Sequence, residues 1–158
     1  MVEPQKRISE QALTVWRISS AIFSIIPLLV VIGVAVSTYF FEWPMWILIT
    51  AIILFLLYIF IFVYLFPEIR WKRFRYDVRE KEIELQSGIL IVKKTLIPMV
   101  RVQHVDMKQG PLLRKYQLAS VTVSTAATIH EIPALDEEEA EELRVFISRL
   151  ARVVDEDV

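Results

Sequence analysis

Residues 18–66 read ISSAIFSIIPLLVVIGVAVSTYFFEWPMWILITAIILFLLYIFIFVYLF, and this stretch decides how the chain folds. It consists of two apolar blocks, 18–41 and 43–66, separated by the charged residue Glu42. Each block would form a helix about 36 Å long, at roughly 1.5 Å per residue, whereas the hydrocarbon core of a bilayer is about 30 Å thick. Buried helices of a soluble bundle need a polar face, and neither block contains a charged residue. The stretch therefore predicts a transmembrane helical hairpin.

The connection between the two predicted spans is a tight turn, because Glu42, Trp43 and Pro44 leave no room for a longer loop. Proline is favoured in the first turn of a helix, where its missing N–H costs nothing. Basic residues lie on both outer sides of the hairpin and are absent from the turn, which predicts an inner-membrane protein with both termini in the cytoplasm. They are Lys6, Arg7 and Arg17 before the hairpin, and Arg70, Lys72, Arg73 and Arg75 after it.

Residues 1–17 form the predicted cytoplasmic N-terminal segment. They are polar and lack the apolar core of a cleavable signal. Ile8, Ala12 and Val15 recur at helical spacing, which predicts a short interfacial helix leading into the first span. Pro27, Gly33 and Ser37 inside that span predict either a kink or a close helix contact, since small residues let backbones approach in lipid.

The rest of the chain has the composition of a charged globular domain whose two halves differ in sign. Residues 70–115 contain 12 Lys and Arg against 5 Asp and Glu, a net charge of +7, and residues 116–158 contain 3 against 10, a net charge of −7. The chain contains no cysteine, which excludes disulfides, thiolate metal sites and cysteine nucleophiles. Oppositely charged faces favour oriented docking onto a complementary partner.

Residues 70–154 predict a small domain of short antiparallel strands closed by one helix. Apolar and charged residues alternate in several short runs, which is the period of half-buried strands, and Ser87-Gly88 and Gly110-Pro111 mark turns. The helix starts after Pro133 and Asp136, with Asp136 as a predicted N-cap. The predicted strands are residues 71–79, 83–86, 89–92, 95–98, 100–107, 120–125 and 128–132, and the apolar stripe of the helix is Ala140, Leu143, Phe146, Ile147, Leu150 and Val154.

So many short strands favour a sandwich or a partly closed barrel, because a flat sheet leaves its edges and one face uncovered. The C-terminal amphipathic helix would then cap an α+β domain of the pleckstrin-homology (PH) type. The pattern by itself does not distinguish this arrangement from other β-rich folds.

Several motifs together resemble the YdbS-like bacterial PH-domain membrane protein family. They are residues 82–90, 95–98, 101–106, 109–112, 118–121 and 131–133. The resemblance implies two membrane helices before one PH-like domain, no established catalytic activity, and a gene often placed beside that of a larger protein with repeated modules of this type. It does not imply phosphoinositide binding, because the first hairpin turn, Gln86-Ser87-Gly88, holds no charge. Where relatives often have glycine this chain has Gln117, and Ala126-Ala127 stands where a glycine-bearing loop is usual.

The sequence offers little support for catalysis, a metal or a cofactor, so we expect none of them. His104 and His130 are the only histidines, and each lies in a predicted strand beside apolar neighbours. A strand histidine that hydrogen-bonds locally is the better interpretation, although Asp106 lies two residues from His104 and could orient it. No Gly-x-Ser-x-Gly turn or phosphate-binding glycine loop is present. The acidic run that opens the last helix suits the helix dipole better than a calcium site.

Two functional hypotheses remain. In the first, the domain is an interaction or scaffold subunit of an inner-membrane complex. Its partner is a second membrane protein with similar modules or further copies of the chain itself. The resemblance also suggests a link to envelope stress or to resistance to membrane-active agents. In the second, the domain binds anionic lipid headgroups at the cytoplasmic face. Nucleic acid is not an expected partner, because residues 69–158 contain 15 basic and 15 acidic residues. The candidate contact residues for lipid or partner are Arg70, Lys72, Arg73, Arg75, Lys93, Lys94, Arg114 and Lys115.

Overall fold

The computed structural model describes the backbone of residues 4–156 and the side chains of residues 4–153. Contacts divide the chain into two units, which are a helical unit over residues 16–68 and a domain in which residues 4–15 join residues 69–156. Val154, the last residue of the predicted apolar stripe, lies outside the described side chains.

Two long helical stretches joined by a turn confirm the predicted hairpin. The first consists of α1 (Gln11–Phe23) and α2 (Ile25–Phe41); the second consists of α3 (Met45–Ile59), a π-helical segment (Phe60–Leu65) and α4 (Phe66–Arg73). Both are long and apolar enough to cross a membrane, judged by length and composition. α2 packs against α3, and Glu42 in the turn has a left-handed backbone with φ of 49°.

The first stretch is interrupted at Ser24, which separates α1 from α2. Pro27 has no N–H to donate to the carbonyl of Phe23, four residues earlier, and its ring crowds that carbonyl. The N–H of Leu28 still donates to the Ser24 carbonyl at 3.1 Å, so helical hydrogen bonding resumes at once. The kink expected from Pro27 therefore takes the form of one residue outside the helix.

The second stretch continues through Pro67 to Arg73, so the helix extends beyond the predicted span of residues 43–66 and into the predicted first strand. In a regular α-helix the Pro67 ring would crowd the carbonyl of Val63. The π-helical segment ends two residues before Pro67, and its wider turns relieve this conflict, as π-bulges do inside longer helices. Trp71, which was predicted to begin a strand, is helical for this reason.

The domain contains two three-stranded antiparallel sheets. The first is formed by β1 (Arg75–Val78), β2 (Glu82–Ser87) and β3 (Lys93–Pro98), in that order, and the second by β4 (Val102–Lys108), β5 (Leu118–Thr125) and β6 (Ile129–Asp136). A 3-10 turn (Met99–Arg101) connects the two sheets, α5 (Pro111–Lys115) connects β4 to β5, and α6 (Glu137–Glu156) follows β6. The strands and the closing helix give the predicted PH-like domain.

The main core lies where α6 packs across the second sheet. Ala140, Leu143 and Ile147 of α6 are buried, and the first six residues of β5 are buried without interruption. Phe146 is 44% exposed and therefore is not the core residue that the predicted stripe assumed. The predicted apolar stripe of α6 is therefore wider than the helix face that packs against the second sheet.

The N-terminal segment packs into the domain. Lys6 pairs with Tyr76 as an isolated antiparallel bridge on the outer edge of β1, through N···O distances of 3.1 and 3.2 Å. Ile8, Ala12 and Val15 are buried, so the spacing that predicted an interfacial helix marks contact with protein. An edge covered in this way is protected from pairing with other chains.

Side-chain hydrogen bonds hold this segment to both ends of the domain. The indole Nε1 of Trp71 donates to the Ser9 carbonyl at 3.0 Å, and Ser9 Oγ donates to Asp136 Oδ1 at 3.1 Å. The Tyr76 hydroxyl donates to Glu139 Oε1 of α6 at 2.8 Å, from a side chain with no exposed surface. Burial, followed by this bond and the charge of Glu139, raises the pKa of Tyr76.

Three details of the domain differ from the sequence predictions or refine them. The run from Ile89 to Val92 is a loop, not a strand. β6 continues through Pro133 to Asp136, whereas Pro133 was expected to introduce the helix. The pairing of β5 with β6 shifts register opposite Pro133, and Ala134 has φ of 50°. Such a bulge accommodates a proline within a strand. Gln117 has φ of 54°, a left-handed position that glycine adopts readily.

Candidate interaction surfaces

The outer face of the first sheet brings together two of the eight candidate residues. The register pairs Arg75 with Gln86 and Gln86 with Lys94, so these three residues form one row across the sheet. Residues directly opposite each other on neighbouring strands point to the same face. Arg75 and Lys94 therefore share a face, and Lys93, at the start of β3, is exposed next to Lys94.

The other end of this face is occupied by an ion-pair cluster around Arg79, which sequence analysis missed. Its guanidinium lies 3.0 Å from Asp77, 3.3 Å from Glu82 and 3.5 Å from Glu84, measured between nitrogen and oxygen. The hydrogen bond to Asp77 is the largest cause that raises the pKa of Arg79. The cluster holds three carboxylates for one guanidinium, so this end of the face is acidic and the basic character lies at the Arg75 end.

The last turn of α4 carries three further candidates, Arg70, Lys72 and Arg73, whose side chains are exposed. Arg70 lines a cavity of about 480 Å³ together with residues from α4, the end of β2, the loop that follows it, and β6. The other lining residues are Phe74, Ser87, Gly88, Ile89, Glu131 and Pro133. The structure thus places the base of the β2–β3 loop beside the basic turn of α4.

Arg114 and Lys115 belong to a different part of the domain. They end α5, and the next two residues, Tyr116 and Gln117, line an open groove of about 1010 Å³ at the start of α6. We call this the acidic groove, because five carboxylates line it. Its complete lining is Gln11, Met107, Tyr116, Gln117, Asp136, Glu137, Glu138, Glu141 and Glu142.

Not every carboxylate of the acidic groove is equally available to a partner. Glu141 binds Arg144 through two hydrogen bonds of 2.6 and 2.9 Å, which lower the pKa of Glu141. Asp136 accepts the bond from Ser9 described above. Glu138 and Glu142 are exposed and lie one turn apart on α6, so they present negative charge on one side of the helix.

The two histidines lie on the second sheet, at different positions. His130 Nε2 lies 2.8 Å from Thr128 Oγ1, which is a local contact of the kind expected, while His104 is exposed on β4. Among the side chains of residues 4–153, no group of three or more His, Asp and Glu is placed to hold a metal ion.

The β2–β3 loop is the surface that sequence analysis missed. Leu90 is 86% exposed and Ile91 is 83% exposed, although their apolar run predicted a strand. Ser87-Gly88 was predicted as a turn, but the loop that begins at Gly88, whose φ of 135° few other residues adopt, extends through Val92. We call residues 88–92 the apolar loop.

Two apolar helical stretches joined to two antiparallel sheets and a C-terminal helix define a membrane-anchored protein of the PH-like class. The sequence model of the bacterial PH domain family matches residues 20–151, and the chain belongs to this family. It is 53% identical over 156 residues to UPF0699 transmembrane protein YdbS of Bacillus subtilis (strain 168), which covers 99% of this chain and 98% of that protein.

A second relative matches only about half of the chain. UPF0699 transmembrane protein YdbT of Bacillus subtilis (strain 168) is 28% identical over 80 residues, which is 48% of this chain and 16% of that protein. A similar segment therefore also occurs within a longer transmembrane protein. No solved structure matched the chain significantly.

Proposed function

We propose that this protein is a non-catalytic interaction subunit of a membrane complex, whose PH-like domain docks onto a second membrane protein with similar modules. The observation that carries the proposal is the separation of charge within one domain, with basic residues on the first sheet and α4 and with the acidic groove at the start of α6. Surfaces of opposite charge on one module allow similar modules to dock head to tail. The YdbT-like relative supports the proposal, because it is a longer membrane protein with a similar segment.

The proposal includes a topology in which both spans cross the inner membrane and both termini are cytoplasmic. The chain contains no cysteine, so single cysteines report accessibility without background. Trp43→Cys should react with a membrane-impermeant maleimide added to intact cells, and Glu142→Cys should react only after the membrane is opened. The reverse pattern would overturn the topology.

The docking surface can be tested on the full-length chain, tagged and crosslinked in the cells that produce it. We expect a second membrane protein with similar modules, or further copies of the chain, to be recovered in stoichiometric amount. Glu138→Lys with Glu142→Lys should reduce that recovery by about tenfold, because like charges would then face a basic partner surface. Glu80→Lys is the matched control, since Glu80 is exposed in the β1–β2 turn, outside the acidic groove.

The basic candidates provide the reciprocal test. Charge reversal at Lys93, Lys94, Arg114 and Lys115 should weaken recovery if the chain also offers its basic surfaces to a partner, and should leave the domain folded because all four side chains are exposed. Unchanged recovery for both the acidic and the basic variants would reject docking through these surfaces.

A second candidate function is anionic-lipid binding at the cytoplasmic face, which the row of Arg75, Gln86 and Lys94 favours. Each basic residue close to an anionic surface contributes about 1 kcal/mol to binding. If the crosslinked protein is recovered without a protein partner but with anionic lipid, this function replaces the first.

For the physiological role, we propose a contribution to envelope stress resistance, which rests on the family resemblance. A strain that lacks the gene should become more sensitive to membrane-active agents, and the wild-type gene should restore resistance more fully than the Glu138→Lys, Glu142→Lys variant. Equal restoration by both would separate this role from docking at the acidic groove.

A further inference from the structure

The apolar loop has unusually exposed side chains for a folded domain. Among the described large apolar residues, Leu90 and Ile91 are the most exposed of all, ahead of every residue in the two helical stretches. Single exposed apolar residues are common, but adjacent ones at the tip of a loop form a patch that marks an interaction site.

The loop has a defined conformation. Gly88 has φ of 135°, and a Cβ atom at this position would lie 1.9 Å from the carbonyl oxygen of Ile91. The loop therefore closes back on its own first residue, in a way that only glycine permits. Ser87, Gly88 and Ile89 at its base line the same cavity as Arg70 and Phe74 and are half-buried, whereas the tip is exposed.

Positive charge lies next to the tip. Lys93 and Lys94 follow the loop directly and are exposed, and Lys94 shares its row with Arg75. Apolar side chains flanked by Lys or Arg suit the interface of an anionic bilayer, where the apolar groups enter the acyl boundary and the ammonium groups meet phosphates. A protein partner would have to supply the same combination of an apolar pocket and an acidic rim.

We propose that the apolar loop inserts Leu90 and Ile91 into the interface of the bilayer that holds the chain's own helical hairpin, with Lys93 and Lys94 on anionic lipid phosphates. The hairpin favours this occupant, because a tethered domain meets its bilayer at a high effective concentration and weak insertion suffices. The inference deepens the lipid-binding candidate above, from which it differs by requiring insertion; headgroup contact alone needs only the charges.

Depth-dependent fluorescence quenching tests the insertion on the full-length chain reconstituted into vesicles of phosphatidylcholine and phosphatidylglycerol. Leu90→Cys is labelled with an environment-sensitive fluorophore, which is possible at a single position because the chain lacks cysteine. Ile129→Cys is the matched control, since Ile129 is an exposed apolar residue (69%) beside the β5–β6 turn. Quenchers are placed either on the lipid acyl chains or, as iodide, in the water.

We expect the label at position 90 to be quenched by the acyl-chain quencher and protected from iodide, and the label at position 129 to show the opposite. Quenching of position 90 by iodide alone would overturn the proposal. A label at position 90 that is shielded from both quenchers would also overturn it, because a second copy or another protein would then cover the loop.

The lysines are tested in the same preparation with Lys93→Gln and Lys94→Gln. The ratio of inserted to uninserted loop should fall about fivefold for each lysine removed, and vesicles of phosphatidylcholine alone should lower it about as much as the removal of both lysines does. If energy transfer from the label at position 90 to labelled lipid headgroups depends on salt and on the lysines while position 90 remains exposed to iodide, headgroup binding stands and insertion is rejected.

Discussion

Two apolar runs of the domain, in β5 and in the apolar loop, have opposite surroundings. Leu118, Val121 and Val123 of β5 have no exposed surface, whereas Leu90 and Ile91 are almost fully exposed. β5 has a strand on each side and α6 across one face, while the loop lies beyond the paired part of β2 and β3. Hydrophobicity alone therefore does not decide burial. A run becomes core when neighbouring elements satisfy its backbone and cover its side chains.

The largest expected effect concerns the helix that covers β5. Leu143→Ala should lower the free energy of unfolding of the domain by about 2–5 kcal/mol, because it leaves a cavity between α6 and the second sheet. Phe146→Ala, on the partly exposed side of α6, should cost less than about 1 kcal/mol. Pulse proteolysis of the full-length chain in detergent and urea measures both. Equal losses for the two variants would mean that α6 is docked by a different face.

The next effect concerns the residue that closes the apolar loop. Gly88→Ala should cost about 1–3 kcal/mol, because alanine is strained at positive φ and its Cβ would overlap the Ile91 carbonyl. Gly110→Ala is the control, since its φ is −79° and no atom lies within 4 Å of the added Cβ. The same proteolysis assay should separate the two variants. If they behave alike, the loop is not closed as described.

A smaller effect concerns the buried hydroxyl that joins the first sheet to α6. Tyr76→Phe removes the bond to Glu139 and should cost about 1–2 kcal/mol near neutral pH. Because the folded state raises the pKa of Tyr76, the folded chain retains this proton while the unfolded chain loses it above about pH 10. The wild type should therefore lose stability as pH rises above that value, and more steeply than Tyr76→Phe. Parallel pH profiles would show that the tyrosine is not responsible.

The smallest expected effect sharpens the contrast between the two runs directly. Ile91→Ser should change the free energy of unfolding in detergent by less than about 0.5 kcal/mol, because the side chain contributes little to the core. Val121→Ser on β5 provides the comparison and should be clearly destabilising, since it replaces two buried methyl groups with one hydroxyl. A loss above about 1 kcal/mol for Ile91→Ser would place the loop in the core.

The elements that could be predicted from sequence are those specified by long or regular patterns. The apolar blocks on either side of Glu42 predicted the hairpin, and the spacing of Ala140, Leu143 and Ile147 predicted the helix that covers the sheet. The eight basic candidates were predicted as one group, but the fold places Arg114 and Lys115 beside the acidic groove, apart from the row containing Lys94. Sequence spacing does not show which turn brings a residue to which face.

The sequence by itself determined the two membrane-length helices, the tight turn between them and the presence of a small strand-rich domain with a closing helix. These follow from hydrophobic length and period, which are local properties of the chain. Only the tertiary structure decided that residues 4–15 cover the edge of β1, that the helix continues past Pro67, and that Ile89–Val92 is an exposed loop. The covered edge depends on a contact between distant segments, and the continued helix depends on the π-helical turns before Pro67. A short apolar run is buried only where a neighbouring element covers it.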